Sequence, residues 1–249
     1  MPARPPWQFA PSDTVVTAAV VAMVAYAAPA LSRVGALRRA WFPALAGVGR
    51  PGGVALTFDD GPHPLGTPAV LEALADLGWS ATFFMLGSQV RRFPDVARSV
   101  AAAGHEIAIH GDEHRNHLVR TPFALARDLR RASEVVHQVT GSRPRWYRAP
   151  YGVMSTGTLY AARAAGLTPV LWTAWGEDWM PRSGEAITAT VMRDLREGGT
   201  AVLHDSDCTG APGSWRNTAR SLPLLGARLR AHGWAVRTLS EHRPGPATC

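Results

Sequence analysis

The feature that most constrains the fold is an alternation of pattern. From residue 54 onward, short runs of β-branched, aliphatic and aromatic residues alternate with Ala/Leu/Arg-rich stretches of helical spacing. The strand-like runs are Val54–Phe58, Ala81–Leu86, His105–Ile109, Arg145–Tyr147, Thr168–Trp172, Thr200–Leu203 and Ala235–Thr238. Helices are expected over Pro68–Leu77, Pro94–Ala103, Pro122–Thr140, Ser155–Ala165 and Gly184–Arg196. Pro68, Pro94 and Pro122 suit first turns of helices, where a missing N–H costs nothing. Gly78, Gly104, Gly141 and Gly166 suit helix ends. Repeated βα units argue for a parallel sheet. Seven such units in about 190 residues fit a closed or nearly closed barrel better than an open doubly wound sheet. The expected fold is therefore α/β, a distorted (β/α)7 TIM-like barrel, preceded by an N-terminal hydrophobic helix. No G-x-G-x-x-G follows the first strand, which speaks against a dinucleotide-binding fold.

The chain divides into three parts on this reading. Residues 1–49 form an N-terminal segment with a membrane helix at about 14–32, residues 50–243 the catalytic domain, and residues 244–249 a tail. Val15–Ala30 carries no charge and is slightly shorter than the ~20 residues of a spanning helix. A signal anchor or uncleaved signal peptide is the favoured reading. Cleavage near Ala27-Ala28, or an apolar helix docked on the domain, are the alternatives. Arg4 stands upstream, whereas Arg33, Arg38 and Arg39 stand just downstream. The positive-inside tendency would then hold the domain in the cytoplasm.

The formal charge of +7 comes almost wholly from arginine. No nucleic-acid-binding motif or aromatic-interleaved basic stripe accompanies it, so no nucleic-acid partner is expected. The arginines fall singly on predicted helices as solvated faces, and attraction to an anionic membrane or wall polymer stays open. Cys208 and Cys249 are too few for a disulfide framework, although they could pair with each other.

Chemistry gathers where the strands end. Asp59-Asp60 follow the first run, His110 and His114 the third, Arg148 the fourth, Glu177-Asp178-Trp179 the fifth and His204-Asp205 the sixth. In an α/β barrel these C-terminal strand ends meet on one face. Two histidines and one carboxylate make a ligand set for a catalytic metal, which keeps a further position open. A cation also explains two adjacent carboxylates at one strand end. One acid is neutralised as a ligand while its neighbour, pointing the other way along the strand, stays free as a base.

TFDDGP, H-G-D-E-H, RAPYG, EDW and LHD, in this order, resemble the five motifs of the NodB-homology polysaccharide deacetylases (carbohydrate esterase family 4). The resemblance covers roughly residues 50–239. It implies that Asp60, His110 and His114 hold the metal, usually zinc, and that Asp59 is the general base, oriented by Arg148. It further implies that the Tyr151 backbone N–H stabilises the oxyanion, Trp179 walls the acetyl pocket and His204 is the general acid. The implied activity is hydrolysis of the N-acetyl amide of amino sugars in a cell-wall or surface glycan, with release of acetate. A deacylase of a lipid-linked sugar and a hydrolase of small non-peptide amides are the alternatives. A glycan-binding module that has lost catalysis is a further one, against which the paired acid and base argue. The expected protein is a monomer in the cell membrane, with its catalytic domain outside.

Two positions depart from the family pattern. Gly111 replaces the usual Ser or Thr after the first motif histidine, which should weaken the bracing of that loop. Trp175 stands where an Asp often tunes the arginine, a contact that Glu177 or Asp178 could assume. His63 and His117 could line the cleft or lie at the surface, and Trp215 could stack on a sugar or simply pack. Trp146, Trp172, Leu222, Leu225 and Leu229 are expected in the core.

Overall fold

The structure, a computed structural model, describes residues 13–243. Among them are eight strands: β1 (Gly53–Asp59), β2 (Thr82–Met85), β3 (Glu106–Ile109), β4 (Trp146–Tyr147), β5 (Thr168–Pro169), β6 (Ala174–Trp175), β7 (Thr200–His204) and β8 (Ala235–Arg237). They form one sheet in the order β5-β4-β3-β2-β1-β7-β6, with β8 on the first half of β1, and every registered pair is parallel. The helices are α1 (Asp13–Ala27), α2 (Gly35–Trp41), α3 (Gly66–Leu77), α4 (Gly87–Arg92), α5 (Pro94–Ala102), α6 (Pro122–Thr140), α7 (Thr156–Ala164), α8 (Gly184–Asp194), α9 (Trp215–Ala231) and α10 (Leu239–His242). The expected distorted barrel is present, open between β5 and β6.

Strand β1 is the spine. All seven of its residues are buried, which is why Val54–Phe58 reads as a continuous apolar run and not as an alternating one. Its pairing sets the site: Asp59 is in register with His204 of β7 on one side and Phe84 of β2 on the other. A carboxylate and an imidazole from distant sequence positions thus become lateral neighbours through backbone hydrogen bonds alone. The helices start and stop where the sequence signals them. Pro94 and Pro122 open α5 and α6, Thr121 and Ser155 accept capping hydrogen bonds, and Gly78 ends α3 in the left-handed conformation.

The expected strand Thr168–Trp172 is not one strand. It pairs only over Thr168–Pro169, and a new strand begins at Ala174. Three consecutive carbonyls explain the break. Val170 and Leu171 accept hydrogen bonds from Arg148 (3.4 and 3.3 Å), and Trp172 accepts one from Arg38. Those oxygens serve buried guanidinium groups and not a strand ladder. Helix α4 follows β2 without a sequence signal. Helix α9 shows itself in sequence only through Leu222, Leu225 and Leu229, all of which are buried.

The N-terminal segment behaves in two ways. Thr14–Arg33 is a 20-residue helical stretch, long and apolar enough to cross a membrane, and only 6% of its most apolar 18 residues is buried. It is therefore not a helix docked into the core. At its end Tyr26 Oη donates to the Arg120 carbonyl (2.5 Å) and Thr156 Oγ1 donates to the Ala25 carbonyl (2.9 Å). The chain that follows lies across the open side of the barrel. Leu171 N–H donates to Leu45 O (3.0 Å), Thr200 Oγ1 to Gly47 O (2.5 Å) and Gly49 N–H to Gly198 O (2.8 Å). Arg38, 4% exposed, donates to Ser32 O (3.0 Å) and to Trp172 O, bolting this segment to the β5–β6 gap. Burial, then the charges of Arg39 and Arg148, push the Arg38 pKa down to about 10.

Candidate active site

A cleft of about 200 Å³ opens at the C-terminal strand ends and is lined by Asp59, Asp60, His110, His114, Tyr151, Trp172, Trp175, Trp179, His204 and Thr209, with Arg33 at its edge. This is below the ~300–1,000 Å³ of sites that enclose a drug-sized ligand. All eight site residues expected from sequence are brought together here or touch a residue that is.

Asp59 and Asp60 share the cleft by a different route from strand alternation. Asp59 ends β1, but Asp60 lies beyond it with φ of 76°, a left-handed conformation uncommon for a non-glycine residue. That turn swings the second carboxylate back to the same opening, and each acid has its own partners. Asp59 Oδ1 accepts from Arg148 Nη1 at 2.7 Å. Asp60 Oδ1 lies 3.3 Å from His110 Nε2 and 3.4 Å from His114 Nε2, while Thr209 Oγ1 donates to Asp60 Oδ2.

These three donors suit a divalent cation. For ligand bonds of ~2.0–2.1 Å, a tetrahedral ion holds its donors ~3.3–3.4 Å apart, and the two carboxylate–imidazole distances match this spacing. Asp60 Oδ1 is buried without a hydrogen-bond partner. One carboxylate oxygen and two imidazole nitrogens face one another, an arrangement that a cation reconciles. The His114 pKa is pushed down to about 4, by burial first and then by the charge of His110, so this ring is neutral at pH 7, as a ligand requires. Burial works upward on Asp60. The neighbouring imidazoles of His110, His204 and His114 outweigh it and hold the acid well below the usual carboxylate range.

On the opposite side His204 donates from Nδ1 to Asp178 Oδ1 (2.9 Å), and its backbone N–H donates to Asp178 Oδ2 (2.7 Å). Asp178 also accepts from Thr218 Oγ1 (2.7 Å) and is fully buried. Burial alone would lower the His204 pKa. The charge and hydrogen bond of Asp178, then the charges of Asp60 and Asp59, reverse this and lift it to about 10. His204 is therefore protonated at neutral pH, with Nε2–H left as the donor on its free side.

Neither Glu177 nor Asp178 takes over the arginine contact. Glu177 pairs with Arg182 at 2.5 Å, and Asp178 belongs to His204. Arg148 is instead held by Asp59, by Thr57 Oγ1 (2.8 Å), by two carbonyls, and between the rings of Phe84 and Trp172 at 4.0 and 5.6 Å. Trp175 occupies the position of the usual Asp and joins Trp172 and Trp179 in an aromatic wall, with centroid separations of 6.2 and 5.0 Å. Trp172, expected in the core, is a half-buried part of this wall. Trp179 stands edge-on to His204 at 5.6 Å, and Tyr151, with φ of 60°, stands edge-on to His114 at 4.4 Å.

Gly111 does not loosen its loop. Its φ of 97° is left-handed, where a Ser or Thr would be strained. Bracing comes from Asp128 of α6, which accepts from Asp112 N–H (2.8 Å) and Arg120 Nη1 (2.7 Å), and from Arg91, which pairs with Asp112 at 2.7 Å. Sequence reasoning missed this brace, Thr209 and the partner of His204. Only Asp178 carried a signal, being part of the EDW motif.

His63, His117 and Trp215 do not line the cleft. His63 accepts from Gly66 N–H (2.9 Å) and pairs with Asp207, buried His117 meets Tyr147 Oη at 2.8 Å, and Trp215 packs on Gly66 and under Arg216. Trp146 is core, as expected, with Nε1 donating to Ser240 Oγ (3.0 Å). Cys208 Sγ lies 3.6 Å from Asp60 O, and Cys249, the other half of the expected bridge, lies outside the described residues with the tail.

Comparison with known proteins agrees with this geometry. The polysaccharide deacetylase family profile matches residues 47–170. A chitooligosaccharide deacetylase of Bradyrhizobium sp. (strain ANU 289) is 33% identical over 196 residues, 76% of this chain and 89% of the relative. A crystal structure of a peptidoglycan N-acetylglucosamine deacetylase bound to a naphthyl N-hydroxybenzamide superposes with a TM-score of 0.75 at 26% identity, covering 81% of this chain and 94% of that one. A family pseudoenzyme from Bacillus anthracis shares the fold at a TM-score of 0.71 and 22% identity, over 78% of this chain and 66% of that one. Fold alone therefore does not carry activity, which depends on the side chains in the cleft. The chain belongs to the polysaccharide deacetylases of carbohydrate esterase family 4, hydrolases of carbon–nitrogen bonds other than peptide bonds.

Proposed function

We propose that this protein removes the acetyl group from an N-acetylated amino sugar, of the N-acetylglucosamine type, carried by a glycan or glycan precursor at the cell membrane. The observation that carries this reading is the division of two adjacent acids. Asp59 is tied to Arg148, and Asp60 faces two imidazoles. A binding module has no use for that division.

Asp60, His110 and His114 would hold the metal, with zinc the ion that their donor set suits best. Bound there, it would supply Lewis acidity to the amide carbonyl. Asp59 accepts a proton from the attacking water, while Arg148 fixes the carboxylate through its 2.7 Å hydrogen bond. The Tyr151 backbone N–H is assigned to the developing oxyanion, an interaction worth ~3–4 kcal/mol in comparable sites. His204 donates its Nε2 proton to the leaving nitrogen as the C–N bond breaks, giving acetate and a free amine. Trp179, backed by Trp175, walls the space for the acetyl methyl.

The apolar helix is read as the membrane anchor and the catalytic domain as external and monomeric. Of the three downstream arginines that argued for the inside, Arg38 is buried in the barrel contact and Arg33 faces the cleft, which leaves Arg39. A reporter fusion joined after Cys249 and active only outside the membrane tests topology. Activity is tested by acetate release from a panel of N-acetylated glycans, with zinc and with chelator. Metal-dependent acetate release is expected, and no release from any member would reject the reading.

A further inference from the structure

We infer that the substrate is a membrane amphiphile, an N-acetylated sugar joined through a phosphate to a lipid, and that Arg33 is the residue that recognises the phosphate. This rests on the deacetylase reading of the cleft and names the substrate class within it.

Three surfaces lie together at the edge of the barrel. The catalytic cleft comes first, with its tryptophan wall. Arg33 comes next, exposed at the rim of that cleft. A groove beside it is lined by Ala30, Leu31, Val34, Gly35, Arg38 and Thr173, and shares Arg33, Trp172 and Trp175 with the cleft. Leu31 and Val34 are exposed, 42% and 53%. A sugar, an anion and an alkyl chain, joined together, match the cleft, the shared arginine and the apolar part of the groove.

Arg33 is suited to the middle position. Among the described residues it makes no ion pair and no side-chain hydrogen bond, so its guanidinium is available to a ligand. The residue closes the apolar stretch Thr14–Arg33. Ala25 and Tyr26 already touch the domain, so the part of this stretch free to insert ends before them and Arg33 stands on the domain side of it. Its position is fixed and not left to a flexible tether. Arg38 ties the same segment to Ser32 O and to the Trp172 carbonyl of the cleft wall. The small volume of the cleft fits as well, since only the sugar end has to enter. The groove also contains Asp194, but that acid is already paired with Arg193 at 2.9 Å.

The test uses the full-length protein in detergent micelles and three probes. These are a dodecyl phosphodiester of N-acetylglucosamine, the neutral dodecyl N-acetylglucosaminide, and water-soluble N-acetylglucosamine 1-phosphate. Binding is read from tryptophan fluorescence on metal-free protein, and acetate release from zinc-loaded protein. The intact chain should bind the phosphodiester at least ~10-fold more tightly than either other probe, as one charge-assisted arginine contact implies. Arg33→Gln should collapse that preference to within ~2-fold, and Arg33→Lys should keep part of it. Equal affinity for charged and neutral lipid probes, or an unchanged preference in Arg33→Gln, would overturn the inference. Equal loss on all three probes would also overturn it, since Arg33 would then only hold the cleft in shape. Retained binding preference with no acetate from any probe would reject the deacetylase reading and leave the phosphate site standing.

Discussion

Replacing Arg148 by Met tests how the site and the fold depend on one buried charge. The guanidinium is fully buried and makes four hydrogen bonds: to Asp59 at 2.7 Å, Thr57 at 2.8 Å, Leu171 O at 3.3 Å and Val170 O at 3.4 Å. Removing one partner of a buried ion pair costs ~3–5 kcal/mol, because the remaining charge is left uncompensated. The two long carbonyl contacts add less, since water can reach part of the opened space. We expect a loss of about 4 kcal/mol from a typical total of ~5–15 kcal/mol. Asp59→Asn keeps an acceptor oxygen beside Arg148 and should cost less, about 1–3 kcal/mol. The double variant Arg148→Met with Asp59→Asn removes both charges and should recover at least ~1 kcal/mol relative to Arg148→Met alone. Urea denaturation in detergent, followed by tryptophan fluorescence, measures all three. A cost below ~1 kcal/mol for Arg148→Met, or no recovery in the double variant, would refute the claim that Arg148 is held chiefly by Asp59.

Three further outcomes follow from the same geometry. Asp59→Asn should lower turnover by ~100-fold or more while circular dichroism stays unchanged, as loss of a general base implies; near-normal turnover would make Asp59 structural. Asp178→Asn removes the charge that lifts His204 to about 10. The fall of kcat/KM with rising pH should then begin ~1–3 units lower, because the protonated donor is lost earlier. His117 is buried and neutral, its pKa pushed down to about 3 chiefly by burial. The unfolded chain therefore takes up this proton first as pH falls, and stability is lost at up to ~1.4 kcal/mol per unit between pH ~6.5 and ~3. His117→Gln should flatten that slope in denaturation series.

Much of the fold was legible because it rests on local rules. Buried parallel strands read as apolar runs, prolines and glycines mark helix ends, and the strand ends carry the chemistry. What stayed hidden depends on pairing across long sequence distances. Nothing local in Val170-Leu171-Trp172 says that Arg148 and Arg38 will claim their carbonyls and end a strand. Asp178 is visible as a motif member, but nothing local shows whether Arg148 or His204 will claim it, because His204 reaches it only through the β6–β7 pairing. Gly111 was read as a loss, although its left-handed backbone and the brace from Asp128 make glycine the residue that fits. Arg33 and Arg38 were read as topology charges; one is a bolt and the other faces the cleft.

The account stands most directly on how two adjacent acids divide their work. Zinc content of purified Asp59→Asn and Asp60→Asn, measured beside the intact chain, addresses that division without any substrate. One equivalent in the intact chain and in Asp59→Asn, with near-complete loss in Asp60→Asn, is the predicted result. Loss of zinc from Asp59→Asn with retention in Asp60→Asn would contradict it and exchange the two roles.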